Sequence, residues 1–143
     1  MDATDRKILR LLGDNGKLTQ ARLAERVGLS LSACQRRVKA LERSGAIAGY
    51  RAVVDPGVLG EGFTLFAFVQ LTSHAREDCL AFQSALRPLL PVKEAHHIAG
   101  EYDYLLKIAV RDMDAYEAFH TDVLADVPGV SRIVTHIPMS RVK

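Results

Sequence analysis

Residues 19–44, TQARLAERVGLSLSACQRRVKALERS, hold two short amphipathic patterns separated by a glycine, and the reading of the whole chain turns on them. Thr19 is placed to cap a first helix whose apolar face is Leu23, Ala24 and Val27. Gly28 supplies the left-handed backbone that ends it. Leu29 fills the corner, and Ser30 or Ser32 caps the next helix. Ser32 and Gln35 have the spacing of a capping box. At about 100° per residue, Cys34, Val38 and Leu41 share one side of that second helix with Leu31 nearby, while Ser32, Arg36, Lys39 and Arg43 share the other. The first side is a core stripe. The second is a column of one hydroxyl and three cations on a helix that must lie at the surface. A solvated basic face is the plain account of such a column. The turn, the caps and the pair of short helices point further, to a helix-turn-helix, which presents its second helix to the major groove of DNA. Its first residues then lie near base edges and its later ones near phosphates. Ser32, Gln35 and Arg36 are the candidates for base contact, and Lys39 and Arg43 for phosphate.

Length and composition are those of a soluble globular protein. The chain has 143 residues, 48% hydrophobic and 25% charged, the balance of an ordinary globular protein with room for one medium or two small domains. No apolar run approaches the roughly 20 residues of a membrane span. The charged opening, MDATDRKILRLL, enters a helix at once and does not read as a signal peptide. Cys34 and Cys79 lie far apart in helical patterns and read as small apolar residues of a reducing compartment, so the cytoplasm is the expected location. The net charge of +2 hides an asymmetry: residues 1–60 carry 11 Lys+Arg and 6 Asp+Glu, or +5, and residues 61–143 carry 8 and 11, or −3. One half is suited to a polyanion and the other is not.

Outward from the central stretch, Asp2 or Thr4 caps a helix through about Leu12, with Ile8, Leu9 and Leu12 inward. Ser44-Gly45 stops the third helix, and AIAGYRAVVD alternates weakly enough to suggest a short β-ribbon, or wing. Arg51 on it is a phosphate candidate or a solvated wing residue. The Gly-rich stretch from Asp55 to Gly62 marks a linker, dividing a DNA-binding domain, 1–60, from a second domain, 61–143. FTLFAFVQLTS is strand-like. REDCLAFQSALRPLL is a helix with Cys79, Phe82 and Leu86 inward. VKEAHHIAG and YDYLLKIAV are strands joined by a tight hairpin at Gly100-Glu101. A helix starting at Asp112 or Asp114 turns Tyr116, Phe119, Val123 and Leu124 inward, and VSRIVTHIPM is the last strand. The order βαββαβ predicts a ferredoxin-like open sandwich, so the fold class is α+β. Tyr104, Leu106, Ile108 and Val110 fall on one face of their strand, and Leu105 and Ala109 on the other. A strand apolar on both faces needs cover on both. Helices supply only one cover, which predicts that a second copy supplies the other, as a homodimer.

The strings DRKILRLLGDNGKLTQARLAERVGLS, RVKALERSGAIAGYRAVVDP and HHIAGEYDYLLKIAVRDMDAYEAFHTDVLADVPGV closely resemble the leucine-responsive regulatory protein/asparagine-regulator (Lrp/AsnC) family. Two independent signatures occur in that family's order, over nearly the whole chain. The resemblance implies a winged helix-turn-helix joined to a ligand-sensing βαββαβ domain. It implies dimers that can assemble into tetramers or octamers, and transcriptional control of amino-acid metabolism through an amino-acid effector. It places the effector near Gly100-Glu101-Tyr102-Asp103, at contacts between subunits. There Gly100 permits close backbone approach, unless it is simply a hairpin glycine. Exposed amides can take a carboxylate and Asp103 an ammonium. His97 precedes the turn, Tyr102 can wall an apolar pocket, and Thr135 and His136 on the last strand are neighbours. Leu31 stands where some members have proline.

Other functions fit less well. Among His74, His96, His97, His120 and His136 no pair has the i, i+4 spacing of a zinc helix, and adjacent strand residues point to opposite faces. No Walker or Rossmann loop, nucleophile elbow or pair of catalytic carboxylates is present, so neither an enzyme nor a bound cofactor is expected. An RNA-recognition module shares the βαββαβ order, but its third strand is basic and aromatic, unlike YDYLLKIAV.

Overall fold

Asp2 starts the first helix through a reciprocal cap: its carboxylate accepts the Asp5 amide and the Asp5 carboxylate accepts the Asp2 amide. The computed structural model describes residues 1–140 and Val142, in two compact units, Met1–Val53 and Val54–Lys143. The first unit is three helices, α1 (Ala3–Asp14), α2 (Gln20–Val27) and α3 (Leu31–Arg43). Thr19 caps α2, and Gly28 ends it at φ 71°, where a side chain would strain the backbone. Ile8, Leu23, Ala24, Cys34, Val38 and Leu41 form the core. Leu9, Leu12 and Val27 lie at its margin.

Three details differ from the sequence reading. Ser30 caps α3 by accepting the Ala33 amide. Ser32 is therefore inside the first turn, 3.3 Å from the Ser30 hydroxyl, and the Ser32–Gln35 capping box does not form. Leu31, the first helical residue, is 47% exposed, because the core stripe begins only at Cys34. Among the described residues, 46–55 form no strand. Three small alanines and a glycine in that run offer little side-chain packing, and a two-stranded ribbon alone is marginal. Instead Tyr50 folds back on α3, its hydroxyl donating to Glu42 Oε1 at 3.0 Å.

The presumed linker is a knot of successive turns. Asp55 Oδ1 accepts the Gly57 amide, and the Pro56 carbonyl accepts the amides of Leu59 and Glu61. After it come β1 (Phe63–Leu71), α4 (Arg76–Leu86), β2 (Val92–His97), β3 (Tyr104–Val110), α5 (Met113–Phe119) and β4 (Val130–His136). The strands form one antiparallel sheet in the order β2-β3-β1-β4. Leu65, Ala67, Val69, Leu106 and Ile108 on one face pack with Phe82 of α4 and with Tyr116 and Phe119 of α5. Phe66, Phe68, Leu105 and Val134 project from the other face and are only half-buried. Helix α5 runs into a π-helical turn, His120–Leu124, whose wider spacing brings Leu124 fully inward and leaves Val123 half-buried. The β2–β3 connection is a broad loop over 98–103 rather than a tight hairpin, closed by the Ile98 amide donating to the Asp103 carbonyl at 2.9 Å.

Candidate functional site

The exposed side of α3 carries the first candidate surface. Ser32, Gln35, Arg36, Lys39 and Arg43 are all exposed, and Arg51 is exposed on the irregular segment that follows. Among the described residues, Arg36, Lys39 and Arg43 make no ion pair, so their charge faces water and any polyanion brought to it. Arg37, between them in sequence, behaves otherwise. Its Nη1 donates to Asp2 Oδ2 at 2.6 Å and Asp5 Oδ1 at 2.8 Å, bracing α3 against α1. Each carboxyl is held below its ordinary range, first by the backbone amide it accepts and then by Arg37. The brace fixes the roll of α3 and so the direction of its basic column.

The 98–103 loop carries the second. Gly100 sits at φ 149°, a conformation that side chains avoid. The amides of Gly100, Glu101 and Tyr102 donate to no acceptor among the described residues. The Tyr102 ring lies 5.4 Å from Phe68, and His136 meets the same phenylalanine edge-on at 5.1 Å. The Arg132 guanidinium lies 5.9 Å from the centre of the Tyr102 ring and 3.9 Å from Glu101. The open sheet face thus ends in an aromatic floor with a cation, an anion and unengaged amides at its rim. A small zwitterion with an apolar tail is the chemical complement of that arrangement.

Asp103 has a different occupation. Oδ2 accepts the Leu71 amide and Oδ1 accepts from His74 Nε2, both at 2.8 Å, and its own amide donates to the Val69 carbonyl. His97 and Thr135 lie away from the floor. His97 stacks on Tyr104 at 4.8 Å and lines a cavity of about 390 Å³ between α4 and β2. Thr135 bonds the Tyr116 hydroxyl, so it faces α5, and burial pushes that phenol up. Strand alternation, which turns Thr135 and His136 to opposite faces, would have separated this pair. Sequence reasoning missed Phe68, Arg132 and His74. Phe68 and Arg132 lie on β1 and β4, far from the loop in sequence, and only strand register unites them. No group of three or more His, Cys, Asp and Glu side chains suited to a metal occurs among the described residues. No helix there is long and apolar enough to cross a membrane.

Two family models match the chain, one described as a winged helix-turn-helix DNA-binding model over residues 1–48 and one as the Lrp/AsnC ligand binding domain over 64–143. The leucine-responsive regulatory protein of Klebsiella pneumoniae is 38% identical over all 143 residues, which cover 87% of it. That of Escherichia coli K12 is 37% identical, with the same coverage. Among solved structures, a transcriptional regulator of Neisseria meningitidis in complex with L-Met superposes with a TM-score of 0.94 at 35% identity, covering 100% of this chain and 92% of that one. An AsnC family transcriptional regulator of Agrobacterium tumefaciens gives 0.91 at 34%, covering 100% and 93%.

Proposed function

This chain belongs to the Lrp/AsnC family of transcriptional regulators, and from that premise we propose how its residues divide the work. Residues 1–60 bind duplex DNA through α3. Ser32, Gln35 and Arg36 reach base edges, and Lys39, Arg43 and Arg51 hold phosphates. Residues 61–143 bind an amino-acid effector and a second copy of the chain. The effector rests at Gly100, Glu101 and Tyr102, with its carboxylate on the loop amides and Arg132, its ammonium at Glu101, and its side chain against Phe68, Tyr102 and His136. Asp103 supports that site from its flank, whereas His97 and Thr135 face the helical side of the sheet and take no part in it. The relatives named for leucine and the neighbour that holds L-Met favour an aliphatic amino acid over a charged one.

The single observation that carries the reading is the meeting of Tyr102, Arg132, Glu101 and unengaged loop amides at the edge of an apolar floor. Dimers form through the open sheet face, whose apolar residues no helix covers among the described residues. An effector acts by favouring one assembly over another, which requires tighter binding to one of them. A thermal-shift screen of the twenty amino acids tests the reading. A hit at about 100 times its Kd adds about 2.7 kcal/mol of stability, an obvious rise in melting temperature. Absence of a shift from every amino acid at millimolar concentration sinks it.

A further inference from the structure

We infer that His74 is a positioning residue for the effector loop: through the Asp103 carboxylate it fastens residues 98–103 to the segment leading into α4. The inference rests on the reading of that loop as the effector site.

The last rung that β1 and β3 share is Val69 opposite Tyr104. Beyond it Asp103 extends the ladder in two ways. Its amide donates to the Val69 carbonyl at 3.0 Å, and its Oδ2 accepts the Leu71 amide at 2.8 Å. The carboxylate stands where the next strand carbonyl would be, which releases the backbone at Tyr102 to turn toward Phe68. The other oxygen, Oδ1, points to the β1–α4 connection and takes His74 Nε2 at 2.8 Å. The Asp103 side chain is only 16% exposed, whereas that of His74 is 72% exposed. The imidazole is therefore the outer partner of a mostly covered carboxylate, and it can be changed without opening the core. Because a carboxylate oxygen only accepts, Nε2 is the ring nitrogen that carries the donated proton. Among the described residues Asp103 is the charged partner within ion-pairing distance of His74. Arg76, Glu77 and Asp78 follow on α4 itself.

Removal of His74 leaves Oδ1 to water and loosens the rung that sets the loop's departure from the sheet. Gly100 and Tyr102 then lose their fixed position relative to Phe68. An exposed pair of this kind is worth at most about a fivefold change in a local opening equilibrium.

Hydrogen exchange on the full-length protein tests the inference, comparing wild type with His74→Ala and His74→Gln. Glutamine places an amide N–H close to the position of Nε2. In His74→Ala the hydrogen-bonded amides of Leu71, Ile98 and Asp103 should exchange roughly two- to fivefold faster, while Leu65 and Ile108 in the sheet keep their protection. In His74→Gln protection should return. Unchanged exchange at Leu71, Ile98 and Asp103 in His74→Ala overturns the clasp. So does failure of glutamine to restore it, or faster exchange spread through the whole sheet, which marks a general structural role. Titration of the three proteins with each amino acid found in the thermal-shift screen adds the functional arm. Affinity should fall by a similar factor in His74→Ala alone, and equal affinity in all three removes the positioning role. If no amino acid shifts wild type, the effector reading fails by itself, and the exchange comparison still decides whether the clasp exists.

Discussion

Arg36 and Arg37 are chain neighbours with opposite fates. Arg36 stands exposed on the face of α3 away from its core, while Arg37 is turned back and gripped by Asp2 and Asp5. A hundred degrees of helix rotation makes the difference, and the helical period alone assigns Arg36 to the outer column. If Arg36 reads a base edge, Arg36→Ala should weaken binding to the preferred DNA site by about 1–3 kcal/mol and flatten discrimination at one position. Competition between preferred and scrambled duplexes measures this, and an equal loss on both makes Arg36 a phosphate contact. Asp103 teaches the converse. Sequence chemistry offers its carboxylate to a ligand ammonium, but in the fold both oxygens already serve Leu71 and His74. Asp103→Ala strands a half-buried amide, so it should lower the unfolding free energy by about 1–3 kcal/mol, read from denaturant melts. A variant of wild-type stability would show that the rung is replaceable by water.

At the scale of elements, the three-helix unit depends on how α1 is held against α3. Asp2 and Asp5 ionise more readily in the folded state than the ordinary value of 3.8. The sign follows directly. Stability from the depressed carboxyls is full above the unfolded value and drains away as pH falls through the lower folded values. Arg37→Ala should therefore lower the melting temperature at pH 6, and the gap from wild type should close as pH drops below about 4. Circular-dichroism melts across that range check it, and a gap that persists at the acid end would place the effect in lost packing of the Arg37 stem. Caps at Asp2, Thr19, Ser30 and Asp112 were readable as residue types, yet the choice between Ser30 and Ser32 was not. Both hydroxyls have the right chemistry, and only the point where α3 leaves the turn selects one.

For the whole molecule, the division of charge is the first lever. With +5 over residues 1–60, DNA affinity should fall steeply and linearly in logarithmic salt, each neutralised phosphate contributing a slope of about −0.9. Removing Lys39 or Arg43 should reduce that slope by about one if each holds a phosphate. A slope unchanged in both variants would leave the basic column a mere solvated face. The second lever is the open sheet face. A lysine there introduces a charge that a self-packed surface must desolvate, so the proposed dimer should appear in light scattering of the wild type and be lost to monomer in Leu105→Lys, with its secondary structure intact. An oligomer that survives this change would place the interface elsewhere.

The sequence alone determined the two helical faces of α3, the βαββαβ order, the inward Tyr104, Leu106, Ile108 and Val110, and the family resemblance. All of these are written in local period and composition, which neighbouring residues carry between them. Tertiary structure alone decided that residues 46–55 form no ribbon, that Asp103 closes a ladder, and that Tyr102 and His136 meet at Phe68 with Arg132 over the Tyr102 ring, while His97 and Thr135 turn away. Those outcomes rest on strand register and on hydrogen bonds between residues distant in the chain, and no local pattern carries information about a partner that only folding brings near.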